Sequence, residues 1–174
     1  LFRSLKANLS KIVDLLVSVR SKADNLSRSY AAQVLEQFAW PASLLALQYD
    51  AVVANPPYIG AKYMPTGLKS FLKSNFDGYE KDLFSAFMVR SLIFTRLEGH
   101  LGFMSPFVWM FIASHEKLRK KFINSATLDT LIQLEYNASG DVRVPLCLFT
   151  LTRQSLRNYL GSFIRLSDFP GQEI

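Results

Sequence analysis

Tyr49-Asp50-Ala51-Val52-Val53-Ala54-Asn55-Pro56-Pro57-Tyr58 is the stretch on which the fold of this chain turns. Its first six residues read as a strand that is apolar on both faces, the pattern expected in the interior of a parallel sheet. Two prolines then end it. Each holds φ near about −65° and removes a backbone N–H, so a rigid loop must follow. Open α/β sheets place their working loops at the carboxyl ends of their strands, which makes this loop the first place to look for chemistry.

Downstream, Leu68-Lys69-Ser70-Phe71-Leu72-Lys73 predicts a short helix with a basic outer face. A stronger helix is predicted over Asp82–Leu97, with Gly99 at its stop. Leu101-Gly102-Phe103-Met104-Ser105 reads as a buried strand ended by Pro106, and a helix follows over 107–123 with the basic run Lys117-Leu118-Arg119-Lys120-Lys121. Two β-rich segments, 128–136 and 142–151, flank the polar turn Asn137-Ala138-Ser139-Gly140-Asp141. Upstream, Leu5, Leu9, Ile12, Val13, Leu16 and Val19 keep a helical period. Polar residues over 21–29 predict a break, Tyr30–Phe38 a second helix, and Pro41 an interruption before β-type sequence begins. This order of elements is half of a doubly wound α/β sheet with an added N-terminal helical segment.

Composition narrows the class. With 174 residues, 49% hydrophobic, the chain can bury a sizeable core. A formal charge of +6 favours a polyanionic partner. Cys147 has no second cysteine to pair with, which points to a reducing, cytoplasmic setting. His100 and His115 lie too far apart to suggest a metal site and read as structural or surface residues. The longest strongly apolar run, Leu101–Ala113, is broken by Pro106 and too short to span a membrane. Leu1 in place of an initiator Met points to a piece of something larger.

Four blocks together resemble the adenine-N6 DNA methyltransferases whose recognition domain comes last, above all the large enzymes of phage-exclusion (BREX-type) and single-chain restriction–modification systems. They are Tyr49–Gly60; Lys81-Asp82-Leu83-Phe84-Ser85-Ala86-Phe87; Gly99–Pro106 with Trp109; and Leu118-Arg119-Lys120-Lys121-Phe122. The first is specific and the others support it. The resemblance implies a partial Rossmann-like, S-adenosylmethionine-dependent fold. It divides the chain into a helical segment (1–48), a partial catalytic domain (49–153), and a tail or linker to a recognition domain (154–174). It makes Asn55, Pro56, Pro57 and Tyr58 catalytic and sets Asp82 and Phe84 beside the cofactor. DNA is the implied partner, with Lys62, Lys69 and Lys73 after the loop as candidates for its backbone, and other restriction or phage-defence subunits are further expected partners.

The residue types of the loop suit that chemistry. An exocyclic amine such as adenine N6 is a poor nucleophile because its lone pair is delocalised into the ring. The Asn55 side-chain carbonyl and the Pro56 backbone carbonyl can accept its two N–H groups and favour a pyramidal nitrogen. The prolines leave no competing N–H donor, and Tyr58 offers a flat face to a base swung out of its helix. The same loop would serve a protein-glutamine methyltransferase acting on an amide nitrogen.

Two features depart from the family. No glycine precedes Asn55, so the glycine-rich cofactor loop has no counterpart in this chain. The stacking Phe of the turn before the last strand aligns with Ser139, and Tyr136 is the nearest aromatic. A half-sheet without the cofactor loop is also what an inactive DNA-binding or structural remnant would keep. Its exposed edge is expected to be covered by residues 1–48 or by a second copy of the chain.

Overall fold

The computed structural model describes residues 2–22, 24–135 and 144–166; Tyr136 and Ser139 lie outside them. The chain divides into two compact units, Leu1–Gln48 and Tyr49–Ile174.

The first unit is helical. Helix α1 (Phe2–Lys22) packs against α2 (Asn25–Val34), and a π-helical turn (Leu35–Ala39) leads into α3 (Trp40–Leu45). The break predicted over 21–29 shrinks to a single cap: the Asp24 side chain accepts the Ser27 amide at 2.8 Å and starts α2. Pro41 does not interrupt the helix either. It sits in the first turn of α3, where its missing N–H is tolerated, and the wider π turn before it admits the ring. Ala31, Leu35 and Ala39, four residues apart, form a buried seam.

The second unit is built on a five-stranded sheet of order β1-β2-β4-β3-β5. Its strands are β1 (Tyr49–Ala54), β2 (Thr95–Pro106), β3 (Thr127–Gln133), β4 (Leu146–Thr152) and β5 (Ser162–Arg165). Helices α4 (Thr66–Asn75) and α5 (Leu83–Phe94) lie between β1 and β2 in sequence, and α6 (Glu116–Ser125) precedes β3. Strands β1 and β2 are parallel, as are β3 and β5, but β4 runs antiparallel between β2 and β3. The sheet is therefore mixed, because the closing pair of strands forms a hairpin and its second strand inserts beside β2.

Phe84, Met88, Val89 and Leu92 of α5 and Leu118 and Phe122 of α6 join Leu101, Phe103, Leu131, Phe149 and Leu151 of the sheet in one core. Met64, Leu72, Leu83 and Ala86 make a smaller cluster beneath α4.

Four expectations change. Among the described residues, strand β1 is an edge strand with one neighbour, and Val53 is 83% exposed, so its apolar character does not reflect burial on both faces. Helix α5 stops at Phe94, where Thr95 Oγ1 donates to the Ser91 carbonyl at 2.9 Å and β2 begins. Gly99 serves β2 instead: a Cβ there would stand 2.8 Å from the Asp50 carbonyl oxygen, at the register shift between β1 and β2. Finally, the segment beyond 153, expected as a tail, supplies β5. Among the described residues no helix is long and apolar enough to cross a membrane.

Candidate active site

The carboxyl end of β1 delivers Asn55 to the sheet edge, with its side chain exposed. Its Oδ1 accepts the Tyr58 hydroxyl at 2.8 Å, closing a short loop across Pro56 and Pro57. The prolines' fixed φ limits the conformations from which that bond must form. Pro56 is buried and Pro57 exposed. A carbonyl oxygen has two lone pairs, so the bond to Tyr58 leaves one for an incoming N–H. Burial, with a smaller contribution from Cys147, pushes the Tyr58 hydroxyl above the usual phenol range, so it remains a donor at neutral pH.

The Tyr58 ring rests edge-on against Phe84, with centroids 6.5 Å apart and planes at 86°. The same helix end holds the rest of the loop. Gly60 and Asp82 form an antiparallel bridge, the Ala61 amide donates to the Lys81 carbonyl at 2.9 Å, and the Leu83 amide donates to the Ile59 carbonyl at 3.0 Å. Asp82 also caps α5, accepting the Phe84 amide at 3.3 Å. Partial burial raises the Asp82 carboxyl above its ordinary range, against the opposing pull of the Phe84, Leu83 and Ile59 backbone donors. Its position is thus that of a helix cap tying the loop to α5.

Phe84, expected beside the cofactor, is 1% exposed and forms the floor under Tyr58. Phe87, one turn on, is 43% exposed on a helix otherwise largely buried, and is the aromatic of that block open to a flat ligand. Lys62 lies in the turn after the loop, its ammonium 5.7 Å from the Tyr63 ring centre. Lys69 and Lys73 stand four apart on the exposed side of α4. Part of the basic run of α6 is engaged internally. Arg119 donates to the Trp109 and Ile112 carbonyls at 2.7 and 2.8 Å, Lys117 pairs with Asp77 at 3.1 Å, and Lys120 with Glu116 at 2.5 Å.

His115, read as ordinary from the sequence, is buried beneath the site. Its Nδ1 lies 3.1 Å from the Ser85 hydroxyl, and its ring centre 5.2 Å from that of Phe84. Burial, and then the Arg119 charge, hold its pKa below the usual histidine value. No spacing signal marks this pair, because thirty residues separate its members. His100 instead meets Thr152 at the surface.

Asp82 gives its Oδ1 to the cap of α5, and Phe84 lies below the surface. Among the described residues no group of three or more His, Cys, Asp or Glu could hold a metal ion. What the loop can do alone is accept N–H groups beside an aromatic ring.

Residues 3–139 match the Eco57I restriction-modification methylase family. The chain is 36% identical over 141 residues to the adenine-specific methyltransferase BrxX of Escherichia coli O9:H4 (strain HS), covering 80% of this chain and 11% of that protein. It is 30% identical over 173 residues to the adenine-specific methyltransferase PglX of Lacticaseibacillus casei (strain Zhang), covering 94% of this chain and 14% of the relative. The chain thus spans 11% to 14% of the length of these curated relatives. Among solved structures, a Listeria monocytogenes protein described as a class I S-adenosylmethionine-dependent methyltransferase superposes with a TM-score of 0.54 at 16% identity, over 72% of this chain and 39% of that one. That likeness concerns the fold, which is a partial Rossmann-like methyltransferase sheet.

Proposed function

Since the chain belongs to the Eco57I restriction-modification methylase family, we propose that it is the base-presenting half of a DNA methyltransferase acting on adenine N6. The observation that carries this reading is the closed Asn55–Tyr58 loop. It holds an exposed carbonyl acceptor at the carboxyl edge of the sheet, next to an aromatic ring seated on a buried floor.

On this reading Asn55 Oδ1 accepts one N–H of the flipped adenine, and the Pro56 carbonyl accepts the other. The nitrogen lone pair is thereby freed from the ring and aimed outward. Tyr58 stacks on the base and keeps Asn55 oriented through its hydroxyl. No side chain here needs to remove a proton before transfer, because positioning supplies most of the catalysis. S-adenosylmethionine would supply the methyl group. Asp82 and Phe84 would stand beside the cofactor, with Phe87 as the exposed aromatic of the same block. Lys62, Lys69 and Lys73 would meet the phosphates flanking the flipped base. A DNA substrate places this work in the cytoplasm, beside any restriction or phage-defence subunits. The outer edge of β1 is where the sheet would continue, into another part of the enzyme or a second copy of the chain.

The test is methyl transfer by the intact protein that carries this chain, offered duplex DNA and, separately, a glutamine-bearing protein. N6-methyladenine in the DNA digest, abolished by Asn55→Ala, is the expected result. Methyl incorporation into protein alone would overturn the reading.

A further inference from the structure

Phe84 is gripped from two sides. Tyr58 of the loop meets it at 6.5 Å and 86°, and the His115 ring meets it at 5.2 Å and 44°. His115 reaches this position from a 3₁₀ turn, Ala113–His115, just ahead of α6. That turn is itself fixed: the His115 amide donates to the Ile112 carbonyl at 3.2 Å, and Arg119 holds the Trp109 and Ile112 carbonyls. On its other side His115 is joined to Ser85 at 3.1 Å, in the first turn of α5. Ser85 is 0% exposed and His115 5% exposed, so neither has water as an alternative partner. Breaking the bond from either end would orphan a buried polar group.

We propose that His115 is a positioning residue for the Asn55–Tyr58 loop: joined to Ser85 and packed on Phe84, it fixes the height of the floor on which the Tyr58 ring stands, and through Tyr58 the direction of the Asn55 carbonyl. This rests on the reading of that loop as the nitrogen-binding element. A pair that merely stabilised the core would be indifferent to Tyr58. The placement argues otherwise, because the His115 and Tyr58 rings share one intervening ring, and the loop's backbone links end on Lys81, Asp82 and Leu83, directly ahead of Ser85. His115 touches no reacting atom, so its effect is on geometry.

The experiment is fluorine NMR of the full 174-residue chain labelled with 3-fluorotyrosine. The Tyr58 resonance is identified by its loss in Tyr58→Phe. In His115→Ala it should move and broaden while the Tyr49 resonance, at the opposite end of β1 from the loop, stays in place. The double variant His115→Phe with Ser85→Ala refills the volume and removes both polar groups, and should bring the resonance back toward its original position. In the intact protein, His115→Ala should lower kcat about tenfold or more, while KM for DNA changes less than about twofold. A folded His115→Ala whose Tyr58 resonance superposes on the parent's overturns the proposal. Should His115→Ala fail to fold, Ser85→Ala decides by the same two outcomes. An intact parent that methylates no DNA sinks the functional reading and takes this proposal with it. An active parent with an unmoved resonance sinks this proposal alone.

Discussion

Tyr58 does two separable things, and two substitutions divide them. Tyr58→Phe removes only the hydroxyl that donates to Asn55 Oδ1 at 2.8 Å and keeps the ring on Phe84. Both partners of that bond lie toward solvent, so water replaces much of it and the stability loss should sit at the low end of about 0.5–1.5 kcal/mol. Its larger effect is on orientation, since Asn55 loses the restraint that aims its carbonyl. Tyr58→Ala removes the ring as well. The edge contact with Phe84 goes, at about 0.5–1.5 kcal/mol beyond the lost burial. So does any stacking on a flipped base, at roughly 1–3 kcal/mol per base.

Converted at about 1.36 kcal/mol per decade, the stacking loss alone predicts a fall in kcat/KM of roughly 5- to 160-fold. The assay is labelled-methyl incorporation into duplex DNA by the intact protein, with thermal melting of each variant as the control for folding. The expected order is parent, then Tyr58→Phe within about tenfold, then Tyr58→Ala. A well-folded Tyr58→Ala with the parent's kcat/KM would refute a stacking role. Tyr58→Phe falling below Tyr58→Ala would refute the division of labour.

Three further outcomes follow from the same geometry. Asp82→Asn keeps an acceptor at the cap of α5 but removes the part-buried charge. An acid whose folded pKa is raised binds more protons folded than unfolded, so the parent should lose stability as pH rises from the ordinary carboxylate value of 3.8 through the raised one, and pH-dependent urea melts should show that slope reduced in the variant. Gly99→Ala places a methyl 2.8 Å from the Asp50 carbonyl oxygen and should cost about 1–3 kcal/mol in the same melts; an unchanged midpoint would mean that β1 and β2 can part freely there. Replacing Lys69 and Lys73 with Gln should flatten the slope of log DNA affinity against log salt by about 0.9 for each phosphate no longer neutralised, and an unaltered slope would remove α4 from the interface.

How far the fold could be read ahead depends on how local each cause is. The strand ending in Asn55-Pro56-Pro57 and the apolar strand at 101–105 carry their own signals, and both stand in the sheet. The segment 107–123 does not form one helix, because Pro106 opens it with two short 3₁₀ turns and only the stretch from Glu116 is α-helical. Strand β5 offered no pattern: all four of its residues are exposed, and its place is set by Gly161, where a Cβ would come within 2.6 Å of the Leu128 carbonyl oxygen. Strand β1 is largely exposed despite being apolar on both faces, because a continuous apolar run reports side-chain chemistry, not whether a neighbouring element is present. At the site, Asn55, Pro56, Pro57 and Tyr58 were legible as a contiguous motif. Ser85 and His115 were not, since only the packing of α5 against the turn before α6 brings them together.

The position of β1 bears on how the loop is held. An edge strand has ladder bonds on one side only and is poorly suited to fixing a loop at its end. Among the described residues β1 pairs with β2 alone, and a register shift near its start loosens even that ladder. The loop's restraints come instead from α5: the Gly60–Asp82 bridge, the amides of Ala61 and Leu83, and the Tyr58 ring on Phe84. Helix α5 is fixed in turn by the core it shares with β2, β4 and α6. On the proposed reading, the geometry that would bind the nitrogen is set by α5 and the core behind it. If the proposed function holds, a methyl donor would meet a loop whose shape is already held by α5.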